Sequence, residues 1–282
     1  MTKRAPLVLL FLAVQTLTSQ QPKSIFIISD AEGVAGVCRQ SQTDPNDPDM
    51  RALLAGEVNA AVDGFLAGGA DEVIVWDGHG GSASLSAVTI HPKAKLLMGG
   101  LPATMTLDRH YAAVAFVGQH SMANVRNGIM AHSYSSLGIQ NMLLNGKPVG
   151  EIETRTALAG AFGIPVILLT GDRAAVEEMR AIQPSTELAA VKEGIGRYSC
   201  LSLSAQAARD LIRESARKAM AKIGTIRPYR IDGPVSIQIE HTTRNSLKVD
   251  AGYATGATLI DDRTIQFSGK NFLEAWIRYS IY

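Results

Sequence analysis

Only two cysteines occur in the 282 residues, Cys38 and Cys200. A four-thiolate zinc site is therefore excluded, and any metal in this chain has to be held by His, Asp and Glu. Charge of one sign is equally lacking: 27 Lys and Arg stand against 26 Asp and Glu, a formal balance of +1. No long block of like charges occurs, so the field that gathers nucleic acid or an anionic membrane is missing and no nucleic-acid partner is expected. No apolar run reaches the ~20 residues that a membrane-spanning helix needs, which argues against a stable membrane anchor. Repeats and low-complexity segments are also absent. What is present, at 46% hydrophobic residues, is an ordinary globular composition with enough chain for one large domain or two unequal ones.

The N-terminus reads as an address. Lys3 and Arg4 make a basic start, Ala5 to Val14 is apolar and rich in Leu, and Gln15 to Gln21 is small and polar. That is the layout of a secretory signal, so residues 1–21 are expected to direct export to a periplasmic or secreted location. A clean Ala-x-Ala cleavage site is missing, which leaves a frayed apolar N-terminus as the other reading.

After Lys23 short β-branched runs alternate with longer helical stretches, the pattern of an α/β fold. Strands are expected at Ser24 to Ser29, Glu72 to Trp76, Ala113 to Val117, Ile139 to Leu144, Pro165 to Leu169 and Leu188 to Val191. Helices are expected at Gly56 to Ala67, near Glu151 to Phe162, from Asp172 to about Ala181, and at Ser204 to Lys222. The expected architecture is a three-layer sandwich around a mostly parallel sheet. Residues 22–225 would form the catalytic domain, and 226–282 a smaller α+β section packed on it or inserted beside it.

Chemically capable residues fall at the ends of the first strands. Asp30 and Glu32 follow the first strand in DAEG, His79 follows the second in DGHGG, and His120 follows the third in GQH. In open parallel sheets ligands bind outside the carboxyl ends of the strands, so these loops converge on one crevice. Gly33, Gly78, Gly80, Gly81 and Gly118 flank them and let backbone pass close by. Taken singly, Asp30 reads as a cap and each His as a loop histidine. Taken together, carboxylates and imidazoles without thiolates suit Zn²⁺, Mn²⁺ or Fe²⁺ at a hydrolytic site.

His132, in AHSYSS, and Glu151, after the Asn145-Gly146 turn, are weaker on spacing alone. On spacing alone Glu151 reads better as a favourable charge at a helix N-terminus, and His132 reads equally as a surface histidine in a polar loop.

The ordered series DAEGVAG, GEVNAA (56–61), GADEVIVWDGHG (69–80), FVGQHSMA (116–123), HSYSS (132–136), LNGKPVGE (144–151), GIPVILLTGD (163–172) and VKEGIGR (191–197) resembles the D-aminopeptidases of the DppA type, a zinc metallopeptidase family. The resemblance implies two Zn²⁺ per chain on Asp30, Glu32, His79, His120 and Glu151, with His132 as the catalytic histidine. It further implies aminopeptidase action on short peptides with an N-terminal D-residue, such as D-Ala-D-Ala, inside a ring-stacked homo-oligomer, a decamer. Two departures stand out. The family motif carries Ser two places before the Asp, where this chain has Ile28, and Gln119, Ser121 and Asn124 beside the histidines are expected on the substrate side.

The implied chemistry is metal-assisted amide hydrolysis, with Asp30 suited to bridge two ions and His132 suited either to move a proton or to attack the carbonyl. Two rivals remain: another metal-dependent amidohydrolase or phosphoesterase, and an exported small-ligand-binding protein without chemistry. His91, His110 and His241 are read as structural, Trp76 and Trp276 as packing. Cys38 and Cys200 are read as buried free thiols, with a disulfide as the alternative.

Overall fold

The structure is a computed structural model describing residues 22–107 and 111–282; the expected export signal and His110 lie outside the described residues. Ser24–Ser29 (β1, SIFIIS) is buried at every position, as a strand must be when both faces of its sheet are covered. Glu72–Asp77 (β2), Ala113–Gln119 (β4) and Val166–Asp172 (β7) are similarly apolar and central. With Ala94–Leu97 (β3), Glu187–Gly196 (β8) and Ser199–Ser202 (β9) they form a seven-stranded sheet of order β3-β2-β1-β4-β7-β8-β9. Every pairing is parallel except β8 with β9. The α/β reading of the sequence is thus correct: a mostly parallel sheet flanked by helices.

Pro48–Ala67 (α1) begins earlier than the expected Gly56, because the Asp47 carboxylate caps the Met50 amide at 2.8 Å and Pro48 pre-sets the first turn. Glu151–Ala161 (α2), Arg173–Ile182 (α3) and Ala205–Met220 (α4) follow. Val58, Phe65, Ile212 and Ala216 join α1 and α4 to one face of the sheet in a continuous core. On the other face Phe26, Ile28 and Phe116 meet Ile152 and Leu158 of α2 and Val176 of α3.

That second core extends into an antiparallel sheet, Thr258–Leu259 (β11), Thr264–Gly269 (β12), Val235–His241 (β10), Ile139–Leu144 (β5) and Lys147–Pro148 (β6), in that order. Val249–Ala254 (α5) and Phe272–Ser280 (α6) complete the C-terminal part. The β5–β6 reversal at Asn145 and Gly146 has both residues at positive φ, 50° and 79°, as a two-residue hairpin turn demands. Because β10 pairs along β5, this layer draws on both sides of residue 225.

The free-thiol expectation is corrected. Cys38 and Cys200 are joined in a disulfide with Cα atoms 6.0 Å apart, because the β8–β9 reversal returns Cys200 beside the loop after β1. Among the described residues no helix is long and apolar enough to cross a membrane.

Candidate metal centre

Strands β2, β1 and β4 are neighbours and end level, Ser29 pairing with Asp77 on one side and Val117 on the other. The residues just beyond them therefore meet. The β1 loop crosses the end of β4 so closely that a Cβ on Gly33 would lie 2.1 Å from the Gln119 carbonyl oxygen. Gly118 takes φ +77°, and its own Cβ would meet the Asp30 carbonyl oxygen at the same distance. At the end of β2 the Asp77 carboxylate accepts the amides of Ser84 and Leu85 at 2.7 and 2.8 Å, which curls the DGHGG loop and turns His79 inward.

His132 comes from a long loop held at several points. Ile129 N donates to the Asp172 carboxylate at 2.8 Å, Met130 N to the Arg197 carbonyl at 3.0 Å, and His132 N to the Ser121 carbonyl at 3.3 Å. Glu151 is the first residue of α2, following Gly150.

All six expected residues come together. His79 Nδ1 is 3.1 Å from both Asp30 Oδ1 and Glu32 Oε2. His120 Nε2 is 3.5 Å from Asp30 Oδ2 and 3.4 Å from Glu151 Oε1. His132 Nε2 lies 3.8 Å from the same Glu151 oxygen. Asp30, Glu32, His79, His120 and Glu151 are buried. Donor atoms within 4.8 Å of one another fall into two groups that share His120: Asp30, Glu32 and His120, and His120, His132 and Glu151.

The histidine tautomers follow from their outer contacts. His79 Nε2–H donates to the Thr43 carbonyl at 2.8 Å, His120 Nδ1–H to the Ser121 carbonyl at 2.9 Å, and His132 Nδ1–H to the Met130 carbonyl at 2.9 Å. A carbonyl only accepts, so in the neutral rings the opposite nitrogen of each carries a lone pair directed into the site. At His79 that lone pair faces two carboxylate oxygens, an arrangement that needs a cation between them. His120 Nε2 and Glu32 Oε2 are buried without any hydrogen-bond partner. The donor set therefore fits divalent metal.

Without metal, protons fill the same need. Burial opposes the charged ring, but the Asp30 and Glu32 carboxylates push His79 up to about 11. Against the same burial, Glu151, Asp30 and Glu32 push His120 up to about 10. Burial would raise the carboxyls, yet the His79 hydrogen bond and the His120 charge hold Asp30 low. Arg155 and His120 do the same for Glu151.

The model of the D-aminopeptidase family, peptidase family M55, matches residues 24–279. The chain belongs to that family. It is thereby a metallopeptidase of the aminopeptidase class. It is 28% identical over 263 residues to the D-aminopeptidase of Bacillus subtilis (strain 168), covering 89% of this chain and 93% of that protein. It shares its fold with the solved Zn-dependent D-aminopeptidase DppA from Bacillus subtilis, described as a self-compartmentalizing protease. The TM-score is 0.82 at 24% identity, over 92% of this chain and 96% of that one.

The residues beside the histidines can also be placed. Gln119 and Ser121 are fully buried, and Gln119 Nε2 donates to Asp30 Oδ2 at 3.1 Å. They end and follow a central strand, where the packed sheet encloses them. Asn124 is exposed and donates to Asn141 Oδ1 at 2.6 Å. His91 pairs with Asp63 at 3.1 Å. His241 lines a separate apolar cavity of about 450 Å³ with Trp276, Tyr279 and Tyr282.

Sequence reasoning missed Lys192 and Arg155. Lys192 Nζ donates to the carbonyls of Glu32, Val34 (2.9 Å) and Val37, beneath the metal loop. A lysine inside the apolar run of β8 was the available signal. For Arg155 it was the four-residue step from Glu151 along α2.

Proposed function

We propose that this chain is a metal-dependent D-aminopeptidase that removes the N-terminal residue of short D-amino-acid-containing peptides such as D-Ala-D-Ala, using two zinc ions. Asp30, Glu32, His79, His120 and Glu151 are the residues that would hold the metal, and the two oxygens of Asp30 face His79 and His120 separately. Zinc held there would polarise a scissile carbonyl and acidify water. His132 is placed to move a proton: the Met130 carbonyl fixes its Nδ1–H, so Nε2 is the basic atom, and it is turned toward the ligand cluster. The buried strand ends exclude bulk water from the carboxylates, which strengthens their hold on a cation.

The observation that carries this reading is the inward lone pair of His79 against Asp30 and Glu32, with the far side of the ring locked on the Thr43 carbonyl. A non-catalytic ligand-binding protein has no use for a second anchored base such as His132. Self-association into stacked rings, a decamer by family resemblance, is part of the proposal. Exposed Ile195, Tyr198 and Leu201 on the β8–β9 edge support it, since apolar groups on an open sheet edge mark an interface. Export is supported by the Cys38–Cys200 disulfide, which persists in an oxidising compartment.

The test is metal analysis of the purified chain together with hydrolysis of D-Ala-D-Ala and L-Ala-L-Ala in added Zn²⁺, for wild type and His132→Ala. The expected result is two metal ions per chain, preference for the D-dipeptide, and loss of turnover in the variant. No bound metal and no metal-dependent activity would overturn the hydrolase reading. Cleavage of neither dipeptide would move the substrate class elsewhere.

A further inference from the structure

Glu151 presents only one of its oxygens to the metal centre. Oε1 accepts the Tyr134 amide at 3.1 Å and faces His120 and His132 Nε2, whereas Oε2 is held by Arg155 Nη2 at 2.9 Å. Both side chains are buried, at 6% exposure each. The guanidinium lies 5.3 Å from the Trp76 ring centre and 5.4 Å from that of Tyr134. Trp76 belongs to the end of β2, shortly before His79. Tyr134 follows His132, and its hydroxyl shares a 2.6 Å hydrogen bond with Thr154 Oγ1 of α2. Three chain segments that carry site residues, the β2 end, the His132 loop and the start of α2, thus meet on one planar cation.

We propose that Arg155 is a positioning residue of the metal centre, fixing Glu151 so that Oε1 alone is offered as a ligand and locking α2 to the β2 end and the His132 loop. This rests on the reading of Glu151 as a ligand. The residue type is specific to the task. A carboxylate can turn about its terminal bond and exchange its two oxygens, and a charge-assisted bond to one of them removes that freedom. Only arginine joins such a bond to stacking with aromatic rings; a lysine ammonium offers a point charge and no flat face. Stability alone does not explain the pair, since a buried ion pair is often no better than apolar packing of the same volume. The gain is in orientation. Groups that orient metal ligands from behind change metal affinity by ~10–100-fold.

The experiment is zinc competition against a chromogenic chelator for the metal-stripped, reconstituted full chain, comparing wild type, Arg155→Met, Arg155→Lys and Glu151→Gln, plus Arg155→Met in the Glu151→Gln background. Arg155→Met is expected to weaken zinc by ~10–100-fold. Arg155→Lys should recover only part of that loss, because it restores charge without the flat fork. In the Glu151→Gln background the Arg155 substitution should cost nothing further, because the two act through one carboxylate. Unchanged zinc affinity in Arg155→Met overturns the proposal. So does an equal loss in the Glu151→Gln background, which is the signature of a general packing role. Should Arg155→Met not fold, Arg155→Lys carries the test, and wild-type zinc affinity in that variant overturns the proposal. Zinc competition is blind to the peptide cleaved, so an inactive but normally zinc-binding wild type would overturn the substrate reading and leave this one standing.

Discussion

The imidazoles of His120 and His132 lie stacked, ring centres 4.0 Å apart and 15° from parallel, and both turn Nε2 toward the same oxygen of Glu151. Their surroundings separate their roles. His120 is wholly enclosed and also faces Asp30, whereas His132 is only partly buried and meets the cluster at Glu151. His120→Ala is expected to lose metal and activity together. His132→Ala should keep its metal and lose ~10²–10⁴-fold in kcat/KM, the usual range for a general acid or base. Metal content measured beside kinetics on both variants checks this, and metal loss in His132→Ala would make that residue a ligand.

Lys192→Met should destabilise the fold by about 3 kcal/mol, since it leaves the carbonyls of Glu32, Val34 and Val37 without their buried charged donor. Denaturant unfolding measures it. The metal loop would loosen as well, so zinc should be held more weakly. Unchanged stability would mean that the loop is set by the Gly33 and Gly118 backbone contacts alone.

Removing the disulfide by Cys38→Ser with Cys200→Ser is expected to cost ~2–5 kcal/mol, because the bridge closes a very long loop of the unfolded chain. Thermal melts of the wild type with and without reductant should show a loss that the double variant does not. Two titratable thiols in the purified, non-reduced protein would contradict the bridge.

Glu57 supplies a pH signature. Burial pushes its carboxyl up to about 7, against the Ala35 amide at 2.8 Å and the charges of Lys192 and Arg209, which pull it down. A carboxyl raised in the folded state gives stability that is complete below its unfolded value, near ~4.3, and is lost as pH rises through 7. The loss corresponds to about 4 kcal/mol at 1.36 kcal/mol per unit. Glu57→Gln should match wild type near pH 4 and be the more stable at pH 8. A stability difference that does not vary with pH would show that the carboxyl stays ionised.

The core of the site is legible in the sequence. A parallel α/β pattern puts the carboxyl ends of adjacent strands side by side, so Asp30, Glu32, His79 and His120 converge by virtue of their positions in the chain alone. Spacing said much less about Glu151 and His132. One opens a helix and is aimed by Arg155 and the Tyr134 amide; the other sits in a loop tied down by Asp172, Arg197 and Ser121.

Residue type and periodicity travel with the chain, and they determined the class of fold, the carboxylates and imidazoles at the strand ends and the exclusion of a thiolate site. The tertiary structure alone decided which ring nitrogen of each histidine faces inward, that Gln119 holds Asp30, and that β10 pairs with β5. It also decided that Cys38 meets Cys200 and that Arg155 stands behind Glu151 between Trp76 and Tyr134. Each of these is a contact whose geometry depends on how packed layers meet, and no local pattern encodes the direction in which a distant segment returns.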